Sequence, residues 1–115
     1  MKGPTNETLK ELCVNLEKLS KKENVKIWKR VAKELQKPAR SKKPVNIFKI
    51  NKYIRDGETA LVIGKVLSEG KLIKKINIST FNASMQAKEK LGKNLITIKE
   101  LIQKNPKGNK VRIIK

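Results

Sequence analysis

The stretch Lys37-Pro38-Ala39-Arg40-Ser41-Lys42-Lys43-Pro44 constrains this chain more than any other, because it holds two prolines and four cations with no anion. Proline lacks an amide hydrogen and clashes with the preceding turn, so no helix can run through the segment. Four uncompensated charges cannot enter a core, since each would lose its hydration without a partner. Small residues between the cations leave the backbone free to follow a surface, and the stretch reads as an exposed basic loop; a plain solvated linker is the alternative.

On its N-terminal side, residues 1–5 read as a loose arm. Leu9, Leu12, Leu16 and Leu19 then recur at steps of three, four and three, while Thr8 and Glu11 have capping-box spacing. That pattern predicts an amphipathic helix over about 6–22. Glu23-Asn24-Val25 interrupts it, and Ile27, Val31 and Leu35 resume at steps of four, with Trp28 and Ala32 beside them. A second helix over about 26–36 must end before Pro38. The short connection makes the pair a helical hairpin, residues 6–36. Trp28 could stack on a base, but a lone aromatic beside a helical stripe reads as a buried anchor. Cys13 has no histidine to activate it as a nucleophile and reads as packing.

Beyond the loop (37–45), Asn46 stands where it can cap a short helix in which Ile47, Ile50 and Ile54 face inward and Lys49, Lys52 and Arg55 project outward. Loop and helix would together make one cationic face. Asp56-Gly57 is a turn, Thr59 to Ile63 has strand character, Gly64-Lys65 interrupts, and Val66-Leu67 continues up to a turn at Ser68-Glu69-Gly70. Gly64-Lys65 is no phosphate-binding loop of the GxxxxGK[ST] type, because Thr59 stands where the first glycine is required and Val66 where Ser or Thr is required. From Lys74 onward Ile76, Ile78 and Thr80 alternate with Lys75, Asn77 and Ser79, a half-buried strand. Ser84 to Leu91 reads as a helix ended by Gly92, and Leu95-Ile96 as a brief strand. Thr97 with Glu100 repeats the capping-box spacing at the head of a helix with Ile98, Leu101 and Ile102 inward. Asn105-Pro106-Lys107-Gly108 stops it, and Val111, Ile113 and Ile114 form a terminal strand. The fold class is therefore α/β: one domain over residues 1–115, an N-terminal helical hairpin followed by short strands alternating with short helices, with residues 46–115 as the α/β core.

The 115 residues carry 29 Lys and Arg against 10 Asp and Glu, a formal charge of +19. A charge of that size repels itself unless a polyanion neutralises it. It is also clustered, for residues 1–25 are nearly neutral while residues 26–56 hold eleven cations and two anions. Nucleic acid is the expected partner. A DNA-binding or chromatin-type basic protein is the alternative; the near-neutral first helix and the lack of a dimer signature weigh against a helix-turn-helix. Trp28, Phe48, Tyr53 and Phe81 are too few for a single-strand stacking platform, so phosphate and shape recognition is expected. With one cysteine and no histidine, no internal disulfide, zinc site or iron–sulfur site can be built from the usual ligands. The longest apolar run, Ala60 to Ile63, spans no membrane, and Met1-Lys2-Gly3-Pro4 leads into no signal-peptide core, so a cytoplasmic protein is expected. Asp56 and Glu58 flank a turn glycine and make no buried catalytic pair. No enzyme, cofactor or small-molecule substrate is expected.

The order of these signals resembles a known family. Ile27-Trp28-Lys29-Arg30-Val31-Ala32-Lys33-Glu34-Leu35, the Lys37-Pro38 loop, Val45-Asn46-Ile47 with Ile50-Asn51-Lys52-Tyr53, Asp56-Gly57-Glu58-Thr59, Gly64-Lys65-Val66-Leu67, and Asn105-Pro106-Lys107-Gly108 before Val111-Arg112-Ile113-Ile114 are similar to the large-subunit ribosomal protein eighteen-e family of archaea and eukaryotes. The compact length resembles archaeal members. The resemblance implies an irregular β-β-α arrangement related to the C-terminal part of bacterial ribosomal protein fifteen, and a structural role on large-subunit ribosomal RNA. It implies neighbouring large-subunit proteins as further partners and a monomer within the ribosome. The residues expected to contact RNA are Arg30, Lys37, Arg40, Lys42, Lys43, Lys49, Lys52, Arg55 and Lys65.

Overall fold

The structure is a computed structural model that describes residues 6–72 and 76–115. The arm expected at residues 1–5, and the start of the strand expected from Lys74, lie outside the described residues.

Helix α1 (Asn6–Glu23) carries Leu12, Cys13 and Leu16 into the core. It begins two residues ahead of Thr8, so the Thr8/Glu11 spacing lies inside the helix and does not mark its start. The chain then reverses through Asn24 in a left-handed conformation (φ 54°). Ser20 closes the reversal twice: its carbonyl accepts from Val25 N–H at 3.1 Å, and its hydroxyl donates to the Val25 carbonyl. Helix α2 (Ile27–Leu35) returns antiparallel and buries Trp28, Val31, Ala32 and Leu35. The hairpin expected from the two leucine and isoleucine stripes is present.

Strand β1 (Val45–Asn46) leads directly into helix α3 (Ile47–Tyr53), and after the turn at Gly57 comes strand β2 (Thr59–Val62). Strand β3 (Val66–Leu67) pairs in parallel with β1, Val45 opposite Val66. Strand β4 (Asn77–Thr80), helix α4 (Met85–Leu91), strand β5 (Leu95–Thr97), helix α5 (Ile98–Lys104) and strand β6 (Val111–Ile114) complete the chain. The main sheet has the order β5-β4-β2-β6, with every pairing parallel. Parallel strands cannot be joined by tight turns, which is why α4 and α5 intervene as crossovers. Both helices open on hydroxyl caps: Ser84 Oγ accepts from Ala87 N–H at 3.1 Å, and Thr97 Oγ1 from Glu100 N–H at 3.0 Å. Asn46 occupies the cap position of α3 without capping it; its Oδ1 accepts from Glu69 N–H at 3.3 Å, across the chain.

Helices cover both faces of the sheet. Leu61 and Ile63 pack with Leu16, Trp28, Val31, Leu35, Ile98 and Leu101 on the side of α1, α2 and α5. Ala60 and Val62 pack with Ile47, Ile50, Ile54, Ile78, Ala87 and Leu91 on the side of α3 and α4. The alternation expected along β4 is accordingly not a half-buried one: Ile78, Ser79 and Thr80 are all buried, because an inner strand of a doubly covered sheet has no solvent face. Ser79 lies opposite Leu61 in register, and its hydroxyl has no hydrogen-bond partner among the described residues.

A latch fastens the hairpin to the far end of the chain. The Trp28 indole N–H donates to the Pro106 carbonyl at 2.6 Å. Gly108 (φ 69°) lies against the same helix so closely that a Cβ there would stand 2.6 Å from Ile27 Cγ2. The base-stacking reading of Trp28 is thereby excluded, since the side chain is fully buried.

Two core substitutions should differ sharply in cost. Leu16→Ala is expected to cost about 2–5 kcal/mol in denaturant unfolding, through lost burial and a residual cavity. Ser79→Ala is expected to cost nothing, because it removes a buried hydroxyl whose unmet bond carries a penalty of about 1–3 kcal/mol.

Candidate nucleic-acid interface

The basic loop is more structured than its prolines imply. Ala39–Ser41 form one 3-10 turn, closed by Ser41 N–H donating to the Pro38 carbonyl at 2.9 Å. Proline forbids its own N–H bond but not the use of its carbonyl, so a single tight turn survives where an α-helix does not. Lys42 is half-buried, and its ammonium donates to the Leu35 carbonyl at 2.9 Å, satisfying an open carbonyl in the last turn of α2. Lys37 pairs with Glu34 at 3.1 Å. Arg40 and Lys43 are exposed.

What holds the loop in place is Gly64. A Cβ at that position would lie 2.1 Å from the Lys43 carbonyl oxygen and 3.2 Å from that of Lys42, so only glycine lets the two backbones meet. Val45 N–H donates to the Lys65 carbonyl at 2.9 Å immediately beyond. Beneath, the Thr80 hydroxyl stands 3.1 Å from the Gly64 carbonyl and 3.0 Å from that of Asn82. The end of β2 and the end of β4 therefore support the basic loop from below, and the exposed Lys65 joins Arg40 and Lys43 at the same end of the sheet.

Helix α3 and the two residues after it divide largely as the spacing predicts: Ile47, Ile50 and Ile54 are fully buried and Lys52 and Arg55 are exposed, whereas Lys49, expected outward with them, is not fully exposed. Lys52 Nζ lies 5.6 Å from the centre of the Tyr53 ring. Tyr53 and Phe48 are both more than half exposed on this face, a feature that polarity alone does not reveal. Lys49 is half-buried and donates to the Lys115 carbonyl at 3.2 Å. Lys115 Nζ in turn reaches Glu34 at 2.9 Å. The series Lys49, Lys115, Glu34, Lys37 joins the outer face of α3 to the start of the basic loop. Lys115 was not among the residues expected from sequence, and a C-terminal position carries no spacing signal that could have singled it out.

Two carboxylates near this surface are neutralised. Hydrogen bonds from Lys115, and then from Lys37, hold the Glu34 carboxyl below its ordinary range. Arg112 grips Glu58 with two bonds of 3.1 Å, and the Arg55 backbone N–H adds a third at 2.7 Å, so Glu58 is lowered as well. Arg30 stands apart from the loop, on the outer side of α2 with Lys26, Lys29 and Lys33. Cys13 offers no chemistry here: its thiol is buried, donates to the Ala32 carbonyl at 3.7 Å, and is pushed up in pKa by burial. Among the described residues no cluster of His, Cys, Asp and Glu could hold a metal ion, and no helix is long and apolar enough to cross a membrane.

Comparison with known proteins follows the same outline. Residues 2–115 match the family model described as "Ribosomal protein 60S L18 and 50S L18e". The chain is 44% identical over 113 residues to the large ribosomal subunit protein eL18 of Methanococcus maripaludis, covering 96% of this chain and 94% of the relative. It is 40% identical over 114 residues to the eL18 of Methanosphaerula palustris, with 96% and 94% covered. It is 37% identical over 115 residues to that of Pyrobaculum aerophilum, with 97% and 94% covered.

Gly64→Ala is expected to displace the loop, since the obstructing atoms are backbone. The cost should be about 1–3 kcal/mol, as for other overpacked sites. New cleavage by trypsin after Arg40 or Lys42 in the native protein would report the displacement, and an unchanged digestion pattern would show that the loop does not depend on this contact.

Proposed function

Because the chain belongs to the "Ribosomal protein 60S L18 and 50S L18e" family, structural proteins of the large ribosomal subunit and not enzymes, we propose that it works by binding and positioning large-subunit ribosomal RNA through phosphate contacts. The observation that carries the reading is the backbone contact between Gly64 and Lys43, which presents Arg40, Lys43 and Lys65 together at one end of the sheet. Ammonium and guanidinium groups displace counterions from phosphates, so the affinity falls with salt in proportion to the number of phosphates engaged. Lys52 and Arg55 extend this surface along α3, while Lys49 and Lys37 reach it through Lys115 and Glu34. Lys42 acts differently from its neighbours, holding the loop to α2 by its bond to Leu35.

The rigid body behind these cations serves as a spacer. A two-sided core fixes the distance between the loop and α3, so each phosphate contact also fixes orientation. The chain acts as one domain and as a monomer inside the ribosome, in the cytoplasm, with neighbouring large-subunit proteins as further partners.

Replacing Lys37, Arg40, Lys43 and Lys65 together by alanine should lower the log–log salt slope of RNA binding by up to about 3. Thermal unfolding should change little, because among the described residues the ion pair lost, Lys37 with Glu34, is an exposed one worth about 1 kcal/mol or less. Lys52→Glu should weaken RNA binding while leaving stability within about 0.5 kcal/mol, as for a surface change. Titration with large-subunit RNA at two salt concentrations checks both, and an unaltered slope in the quadruple variant overturns the assignment of the loop.

A further inference from the structure

Strand β6 is one of the two edges of the main sheet, and between it and α2 runs an open groove of about 790 Å³ that the loop and α3 do not line. Lys26 at the cap of α2 and Lys29, Arg30 and Lys33 on it form its outer wall, all exposed, and the steps 26 to 29 to 33 set cations about one turn, about 5 Å, apart, with Arg30 beside Lys29. Ile27, Val111 and Ile113 make a half-buried floor. The carboxylate at the rim, Glu58, is already held by Arg112, so nothing on the wall opposes the cations. The backbone of β6 adds a second pattern. Thr59 N–H donates to the Lys110 carbonyl at 2.8 Å and Ile63 N–H to that of Ile114 at 3.1 Å. By the alternation of a parallel pair, Arg112 also faces β2, while the N–H and C=O groups of Val111 and Ile113 point outward. These outward groups have no hydrogen-bond partner among the described residues.

We propose that this groove holds a ribosomal RNA strand by its sugar–phosphate backbone, with the α2 cations on successive phosphates and the outward carbonyls of β6 accepting from ribose 2′-hydroxyls. The inference rests on the RNA-binding reading given above and adds a second contact surface to it. The pattern of groups selects the occupant. Cations and backbone N–H groups need acceptors, which phosphates supply at every nucleotide; carbonyls need donors, which 2′-hydroxyls supply and DNA lacks. A peptide strand laid on β6 would satisfy the carbonyls equally, but it would answer four cations on one wall only if it carried a carboxylate at nearly every position facing them. The result is a protein whose loop and groove grip RNA on different sides of one rigid sheet.

Large subunits assembled with a photo-crosslinking phenylalanine analogue in place of Lys33, or separately in place of Lys43, test the groove and the loop independently. Crosslinking from position 33 to ribosomal RNA is expected. Crosslinking from position 33 to a protein assigns the groove to an acidic neighbour and overturns the inference, and so does no crosslink there while position 43 reaches RNA. Failure at position 43 with success at position 33 counts against the loop and leaves the groove standing. In solution, Lys29→Ala, Arg30→Ala and Lys33→Ala combined should lower the salt slope of RNA binding by about 2. Deoxyribose substitution across the crosslinked segment should weaken binding several-fold, and an unchanged affinity would overturn the role given to the β6 carbonyls.

Discussion

Strand β2 leaves water on both faces, and the rest of the molecule is arranged around that fact. Ala60 and Val62 enter the cluster beneath α3 and α4, whereas Leu61 and Ile63 enter the one beneath α1, α2 and α5. A short strand with side chains buried on both sides is stable only if each face has its own cover. The helical hairpin supplies one cover and the loop-borne helices the other. Because β2 lies between β4 and β6 in the order of the sheet, its ends also set where the neighbouring loops emerge. The basic loop stands at the C-terminal end of β2 for this reason.

The charge is managed by exclusion. A formal +19 on 115 residues opposes compaction, and the fold answers by keeping the ammonium and guanidinium groups at the margins of the two clusters. Some of these groups also hold the structure together. Lys42 and Lys49 satisfy backbone carbonyls, Lys90 bonds the carbonyls of Ser68 and Gly70 at 2.7 and 3.2 Å, and Lys115 and Lys37 share Glu34. Such ion pairs at the surface contribute little stability individually. Their consequence is geometric: they tie the C-terminus, α2 and α3 into one cationic surface and neutralise the carboxylates that would otherwise repel phosphate.

Two glycines permit close approaches on which the arrangement depends. Gly64 lets the β2 end touch the Lys43 carbonyl, and Gly108 lets the Asn105–Asn109 turn reach Ile27 and Trp28. Each is a close approach between segments far apart in sequence. One positions the proposed RNA-binding loop; the other, with the Trp28 to Pro106 bond, fixes the angle of α2 and hence the width of its groove with β6.

Local pattern determined a great deal of this protein. The stripes at Leu12 and Leu16 and at Val31 and Leu35, the isoleucines of α3, the cap at Thr97, the buried Trp28 and Cys13, and the exposed cations of the loop all follow from local spacing and charge, because each depends on residues within a few positions of one another. The all-parallel order of the sheet, the burial of Ser79, the half-burial of Lys42 and Lys49, the bond of Asn46 to Glu69, and the gathering of Lys26, Lys29, Arg30 and Lys33 beside the outer edge of β6 do not. They are set by which strand lies next to which. Strand neighbours are chosen by the burial of whole faces, a property of the assembled sheet that has no signature in the spacing of any single segment.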